Sequence, residues 1–334
     1  MQPMPMHLTI SMKNCMNQNK RLIKTTIIIF VFIASILGLL LGTIQLNLHN
    51  LFTQGSMDNL IFFQVRLPRV IVGLLVGAAL SLSGTILQAI MRNSLASPNI
   101  IGVNAGAGLF VTFSTIFYPG LFFLKPLIAF IGAFLTTLLI YKASYVHGIR
   151  PLRMVLAGVA VSALANSLIS LSYILNPDNM KSMLSFSIGS LSLIENRDIL
   201  LILPSLIIGG TVCIITAKKM NIMMLGDDIA LNLGVRVESF RLLMIIISSL
   251  LASSAVAVVG LLGFIGLIVP HIVKLIIGND YKDIYIYSML FGGAFLVFSD
   301  TVSRVIIAPY ELPVGIVTTM IGAIFFIFLV RRKV

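Results

Sequence analysis

Apolar runs recur along the chain from Thr25 to Val330, separated by short polar stretches that carry most of the charge. A bilayer core of roughly 30 Å takes about 20 apolar residues per helix. The pattern divides into ten such spans: 25–46, 67–90, 100–118, 121–141, 151–174, 199–217, 242–260, 262–277, 284–305 and 313–330. Between the seventh and eighth spans the apolar run is continuous, and only glycines around Gly260–Gly263 predict a reversal. The predicted fold is an all-α, polytopic membrane protein. It has an N-terminal tail over residues 1–24 and a single transmembrane domain over 25–334, with its longest inner connection at 218–241.

Composition agrees with that division: of 334 residues 58% are hydrophobic and 10% charged, and the mean hydropathy is +1.06. The net charge of +12 is spread singly between apolar runs, with no stripe that could track phosphates, which argues against a nucleic-acid partner. With both termini in the cytosol most of the 23 basic residues fall on the inner side, as the positive-inside rule requires. The tail is polar and basic without a small-residue cleavage signature, so it is expected to be retained. Cys15 and Cys213 cannot form a disulfide framework, one lying in the tail and the other in an apolar run. The four histidines are dispersed, and no metal-ligand cluster or cofactor motif is visible.

The second span opens with RLPR, Arg66 to Arg69. Both arginines fall on the outer side and at a helix N-terminus, where the macrodipole disfavours a cation by roughly 0.3–1 kcal/mol. Their spacing puts them on one face, and Pro68 suits a first helical turn. They could be snorkelling anchors, or a paired fork for a carboxylate on an external partner. Asp300 and Arg304 are spaced for an intrahelical ion pair near the outer end of the ninth span.

On the inner side, Gly226-Asp227-Asp228 starts a helix with acids at the positive dipole end, and Gly234 stops it about two turns later. Such a capped segment is either a docking element on the cytosolic face or an ordinary amphipathic loop. In the eighth span Pro270 is expected to bend the helix, and His271 to be a buried polar group beside the kink. No Gly-Lys-Ser/Thr sequence exists, so the chain has no phosphate loop with which to hydrolyse ATP. Asp300 is the only acid well inside a proposed span, and the fifth and tenth spans are uncharged over most of their length. A secondary carrier normally needs intramembrane carboxylates or broken-helix ion sites.

Taken in order, RLPR, RNSLASPNIIGVNAGAGL, IGSLS, LGDDIALNLGV, GFIGLIVPHIVK, the Asp300–Arg304 pair and ELPVGIVTTMIGAIFF resemble the FecCD family. These are permease subunits of type II ABC importers for iron-siderophores, haem and cobalamin. The likeness runs from about Arg66 to the C-terminus. It departs at Ser94 and Ser97, where proline and an acid are common, at Phe186 for tryptophan, and at Ile324 for a frequent proline.

The resemblance implies a ten-helix permease in the bacterial cytoplasmic membrane. Its partners would be a second permease subunit, identical or paralogous, a cytosolic ABC ATPase dimer and an external substrate-binding protein. It assigns Arg66, Arg69 and Arg304 to docking of the binding protein. It assigns Gly226, Asp227, Asp228, Ala230, Leu233 and Gly234 to coupling with the ATPase, and the fifth and tenth helices to the translocation path. On those helices Asn166, Ser167, Ser170, Thr318 and Thr319 are the candidate path residues. A ferric siderophore is the leading substrate, with haem or cobalamin as alternatives and an ion-coupled carrier as the reading from another class.

Overall fold

The computed structural model describes residues 6–332 except 54, 100–101, 146–150, 178–185 and 193; residues 1–5 of the predicted tail and 333–334 lie outside it. Among the described residues ten apolar helices follow one another, with a short one between the sixth and seventh. They are α1 (Met6–Leu40), α2 (Met57–Ile90), α3 (Val103–Phe117), α4 (Lys125–Ser144), α5 (Pro151–Leu175), α6 (Asn196–Met223), α7 (Asp227–Asn232), α8 (Val237–Val259), α9 (Ile265–Ile277), α10 (Tyr281–Val305) and α11 (Val314–Arg332). Seven of the ten are long and apolar enough to cross a membrane; α3, α9 and α11 are shorter apolar helices.

In the first two helices three predicted boundaries move. The first helix starts at Met6, inside the expected tail, because no proline or glycine interrupts residues 6–37. It stops at Leu40, six residues early. Helical backbone of the second span starts at Met57, well before RLPR, and Pro68 stands, as expected, in the first turn of its α-helical part, Leu67–Ile90. Immediately ahead of Pro68 the backbone widens into a π turn over Ile61–Arg66, and the Leu67 amide donates to the Phe62 carbonyl. A proline ring clashes with the carbonyl four residues back in a regular helix, and a π turn relieves that clash.

The glycine-marked break is where the sequence predicts it. Gly260 and Phe264 both take positive φ between α8 and α9, Phe264 in the left-handed helical region.

Helix α2 is the hub: α10, α8, α9 and α6 all pack on it, and it is the most deeply buried of the long helices. Small residues allow this crowding, as expected where helices in lipid gain by close packing rather than by hydrophobic exclusion. A Cβ on Gly77 would overlap the Gly292 carbonyl of α10, and one on Gly84 would overlap the Gly266 carbonyl of α9. Gly266 is four residues before Pro270, so its carbonyl has no intrahelical donor at that proline. The sequence feature expected to kink α9 therefore frees a carbonyl that lies where α2 leaves no room for a Cβ, while α9 itself runs through Pro270 as one helix. His271 is buried with its ring edge-on to Phe325 of α11.

Buried hydroxyls tie the hub together. Ser83 and Ser248 exchange bonds with each other's carbonyls at 2.8 and 3.2 Å, and Ser81 donates to the Ser288 carbonyl at 2.6 Å. Helix α5 contrasts with α2: among the described residues it packs mainly on α3 and α4 and leaves most of one face uncovered.

Candidate functional site

Three places carry the chemistry, one at each end of α2 and one beside α5. At the outer end, Arg66 and Arg69 do not form an exposed fork; both are buried and point to different partners. The Arg66 guanidinium donates to the carbonyls of Leu39 at 2.9 Å, Leu40 at 2.5 Å and Ile44. Arg304 donates to the carbonyls of Gly38 and Leu41, each at 3.0 Å. These carbonyls belong to the last turn of α1 and the residues after it, where a helix leaves acceptors without partners. Arg66 and Arg304 thus stand at the C-terminal end of α1, where the helix dipole favours a cation. This also explains why α1 ends early: its exit carbonyls are taken by arginines instead of by a further turn.

Arg69 is held by Asp300, with Nε–Oδ2 at 3.0 Å and Nη2–Oδ1 at 2.9 Å, while its Nη1 reaches Glu311 Oε2 at 2.9 Å. Asp300 also takes Arg304 Nε at 3.1 Å, the expected intrahelical pair. The site is therefore a carboxylate between two arginines, closed at its outer edge by Glu311, whose role the sequence reading missed.

At the inner end, α7 matches its predicted limits, beginning after Gly226 and ending before Leu233 and Gly234. Asp228 is exposed and Ala230 is buried against the bundle. Leu225, Ile229, Leu231 and Leu233 present an exposed apolar surface. Asp227 does more than face a dipole: Oδ1 accepts from Arg92 at 2.6 Å, and both oxygens accept from Arg241 of α8 at 3.0–3.2 Å.

Arg92 ends α2 in an unusual way. Its amide donates to the Ala89 carbonyl and that of Asn93 to the Gln88 carbonyl, the two bonds of a Schellman motif, and Arg92 occupies the left-handed position with φ 46°. Glycine is the usual residue there. An L side chain costs about 1–2 kcal/mol in that conformation.

Beside α5 lies a cavity of about 570 Å3. Asn99, Asn104, Ser162, Asn166, Ser187 and Thr319 supply its polar lining, and no charged side chain is among the lining residues. The Ser162 hydroxyl is buried there without a hydrogen-bond partner among the described residues. Of the predicted path residues, Asn166 and Thr319 line this cavity. Ser167 and Ser170 lie on exposed α5 positions outside its lining, and Thr318 is buried with its hydroxyl turned back to the Gly315 carbonyl. Asn99, Asn104, Ser162 and Ser187 were missed; a polar amide amid apolar segments was the available signal for the first two. Among the described residues no group of three or more His, Cys, Asp or Glu side chains could hold a metal ion.

Comparison with known proteins agrees with this picture. The sequence model of the FecCD transport family matches residues 27–332. The Fe(3+)-citrate import system permease protein YfmD of Bacillus subtilis (strain 168) is 38% identical over 278 residues, covering 83% of each chain. The hemin transport system permease protein HmuU of Yersinia pestis is 34% identical over 329 residues, covering 94% of this chain and 96% of that protein. A metal-chelate-type ABC transporter solved in an inward-facing conformation superposes with a TM-score of 0.80 at 28% identity, over 93% of this chain and 99% of that one.

Proposed function

Because the chain belongs to the FecCD transport family and is a multi-pass ABC importer permease, we propose that it passes a ferric siderophore from an external binding protein to the cytosol, driven by ATP that partner subunits hydrolyse. The observation that carries this is the uncharged, amide- and hydroxyl-lined cavity beside the uncovered face of α5. In lipid, exposed Asn166 would be costly. A second permease subunit, identical or paralogous, covers that face, and the two halves enclose the path.

On the cytosolic side, the apolar surface of α7 seats on the ATPase. On the outer side, the binding protein reaches the arginines through Glu311, the most accessible member of their cluster. A carboxylate of the binding protein replaces Glu311 on Arg69, so Glu311→Gln should raise affinity for the binding protein.

Uptake by cells lacking this gene and by complemented cells tests the substrate, with radioiron supplied as a ferric trihydroxamate or tricatecholate, and haem and cobalamin alongside. Loss and recovery of ferric-siderophore uptake is expected. Dependence of haem or cobalamin uptake alone would reassign the substrate, and uptake that persists without the ATPase would restore the secondary carrier.

A further inference from the structure

We propose that Arg92 is the positioning residue that fastens α7 to α2, so that displacement of α7 by the ATPase is delivered along α2 to the outer arginine cluster. This rests on reading α7 as the ATPase contact. Three observations converge on it. Arg92 holds a position in the Schellman turn that favours glycine, so the side chain is kept there at a conformational cost. Its Nη2 contacts two different elements at once, the Met223 carbonyl at the end of α6 at 2.8 Å and Asp227 of α7 at 2.6 Å. Asp227 is gripped from the other side by buried Arg241, so α7 is clamped between α2 and α8.

The other end of this connection is equally definite. Helix α2 is continuous for 34 residues, and Arg66 and Arg69 near its outer end hold the exit of α1, Asp300 of α10 and Glu311. A shift of its inner end therefore bears on the groups that close the outer face. A rigid element with contacts at both ends is one physical route by which distant sites couple.

Arg92→Gly separates a link from a brace, because it relieves the backbone while removing the guanidinium. The assembled complex would carry spin labels in a Cys15→Ser background, Cys213 being buried. One pair, at Asn232 and Leu152, reports on α7; another, at Met57 and Ile174, reports on the outer end of α2; all four are exposed positions of this chain. ATP with vanadate is the probe. In the wild type both distances should change. In Arg92→Gly the α7 pair should still respond while the outer change is lost, and Arg92→Lys, which keeps a cation near Asp227, should restore it in part. Should the glycine variant not assemble, Arg92→Gln takes its place. An outer change of wild-type size in a variant whose α7 pair responds would overturn the proposal. An α7 pair silent in the wild type would instead overturn the reading of α7 as the ATPase contact.

Discussion

At each end of α2 one aspartate stands between two arginines, yet the two clusters are built for different work. In the outer one, the side chains of Arg69, Asp300 and Arg304 are 6%, 4% and 3% exposed. In the inner one, Arg92 and Asp227 are 41% and 42% exposed, and only Arg241 is buried. Charges taken out of water are costly unless every partner is present, so the outer cluster tolerates little change once formed. Half-solvated charges are screened and replaceable. The same residue types therefore make a rigid closure on one face and a joint that can move on the other.

The sharpest way to break this contrast is Asp300→Asn. It leaves Arg304 buried without its carboxylate and Arg69 dependent on Glu311 alone, and should destabilise the protein by about 3–5 kcal/mol. A large fall in the Tm of the detergent-solubilised protein is the expected result. A change no larger than that of a surface variant would show that the outer cluster is as dispensable as the inner one. Arg66→Met comes next, keeping the apolar stem but removing donors from the Leu39 and Leu40 carbonyls, at about 1–3 kcal/mol. Gly42→Ala should shift stability the same way, since its Cβ would sit 2.9 Å from Arg66 Nη2.

Asp227→Asn should behave oppositely. Its cost to stability is expected to be well below that of Asp300→Asn, because Arg92 and Asp227 are half-exposed and buried Arg241 keeps Glu238 at 3.4 Å, while ATP-driven transport by the reconstituted complex falls. A Tm loss as large as that of Asp300→Asn, with transport per folded protein unchanged, would erase the distinction between closure and joint.

How much of this was legible depended on sequence distance. The spans could be read because burial in lipid demands long apolar runs, and α7 because Gly226 and Gly234 frame it locally. Asp300 and Arg304 could be read because their pairing is intrahelical. Arg69 meets Asp300 across 231 residues of separation, and Arg92 meets Asp227 across 135, so no local pattern announces either contact. The partners of the RLPR arginines were hidden for the same reason: the acceptors that draw Arg66 inward lie at the end of α1, 26–27 residues away. In the path, apolar helices with scattered polar residues gave the right elements but only part of the lining, because which side of α5 or α11 faces the cavity is set by packing against α3, α4 and α10.

The smallest expected effect belongs to a carboxylate that has no arginine, and it isolates what the arginines add. Asp280 caps α10, accepting from the Lys282 amide and from the Asn221 side chain, each at 3.1 Å; Asn221 in turn accepts from the Tyr281 amide at 2.9 Å. The Asn221 hydrogen bond first, then the Lys282 amide, holds the Asp280 carboxyl below the ordinary carboxylate value. The folded protein thus binds this proton less readily than the unfolded chain. Its contribution to stability is fully present above the unfolded value of about 4 and is lost as the pH falls through it towards the folded value. Asparagine also caps helices well, so Asp280→Asn should leave Tm at neutral pH and transport nearly unchanged while making the decline below about pH 4 shallower. Thermal scans of the solubilised variant across that range are the measurement. An acid decline as steep as that of the wild type would mean that this clamp contributes nothing. A neutral-pH Tm loss approaching that of Asp300→Asn would mean that a hydrogen-bonded carboxylate at the membrane edge matters as much as one locked between buried arginines.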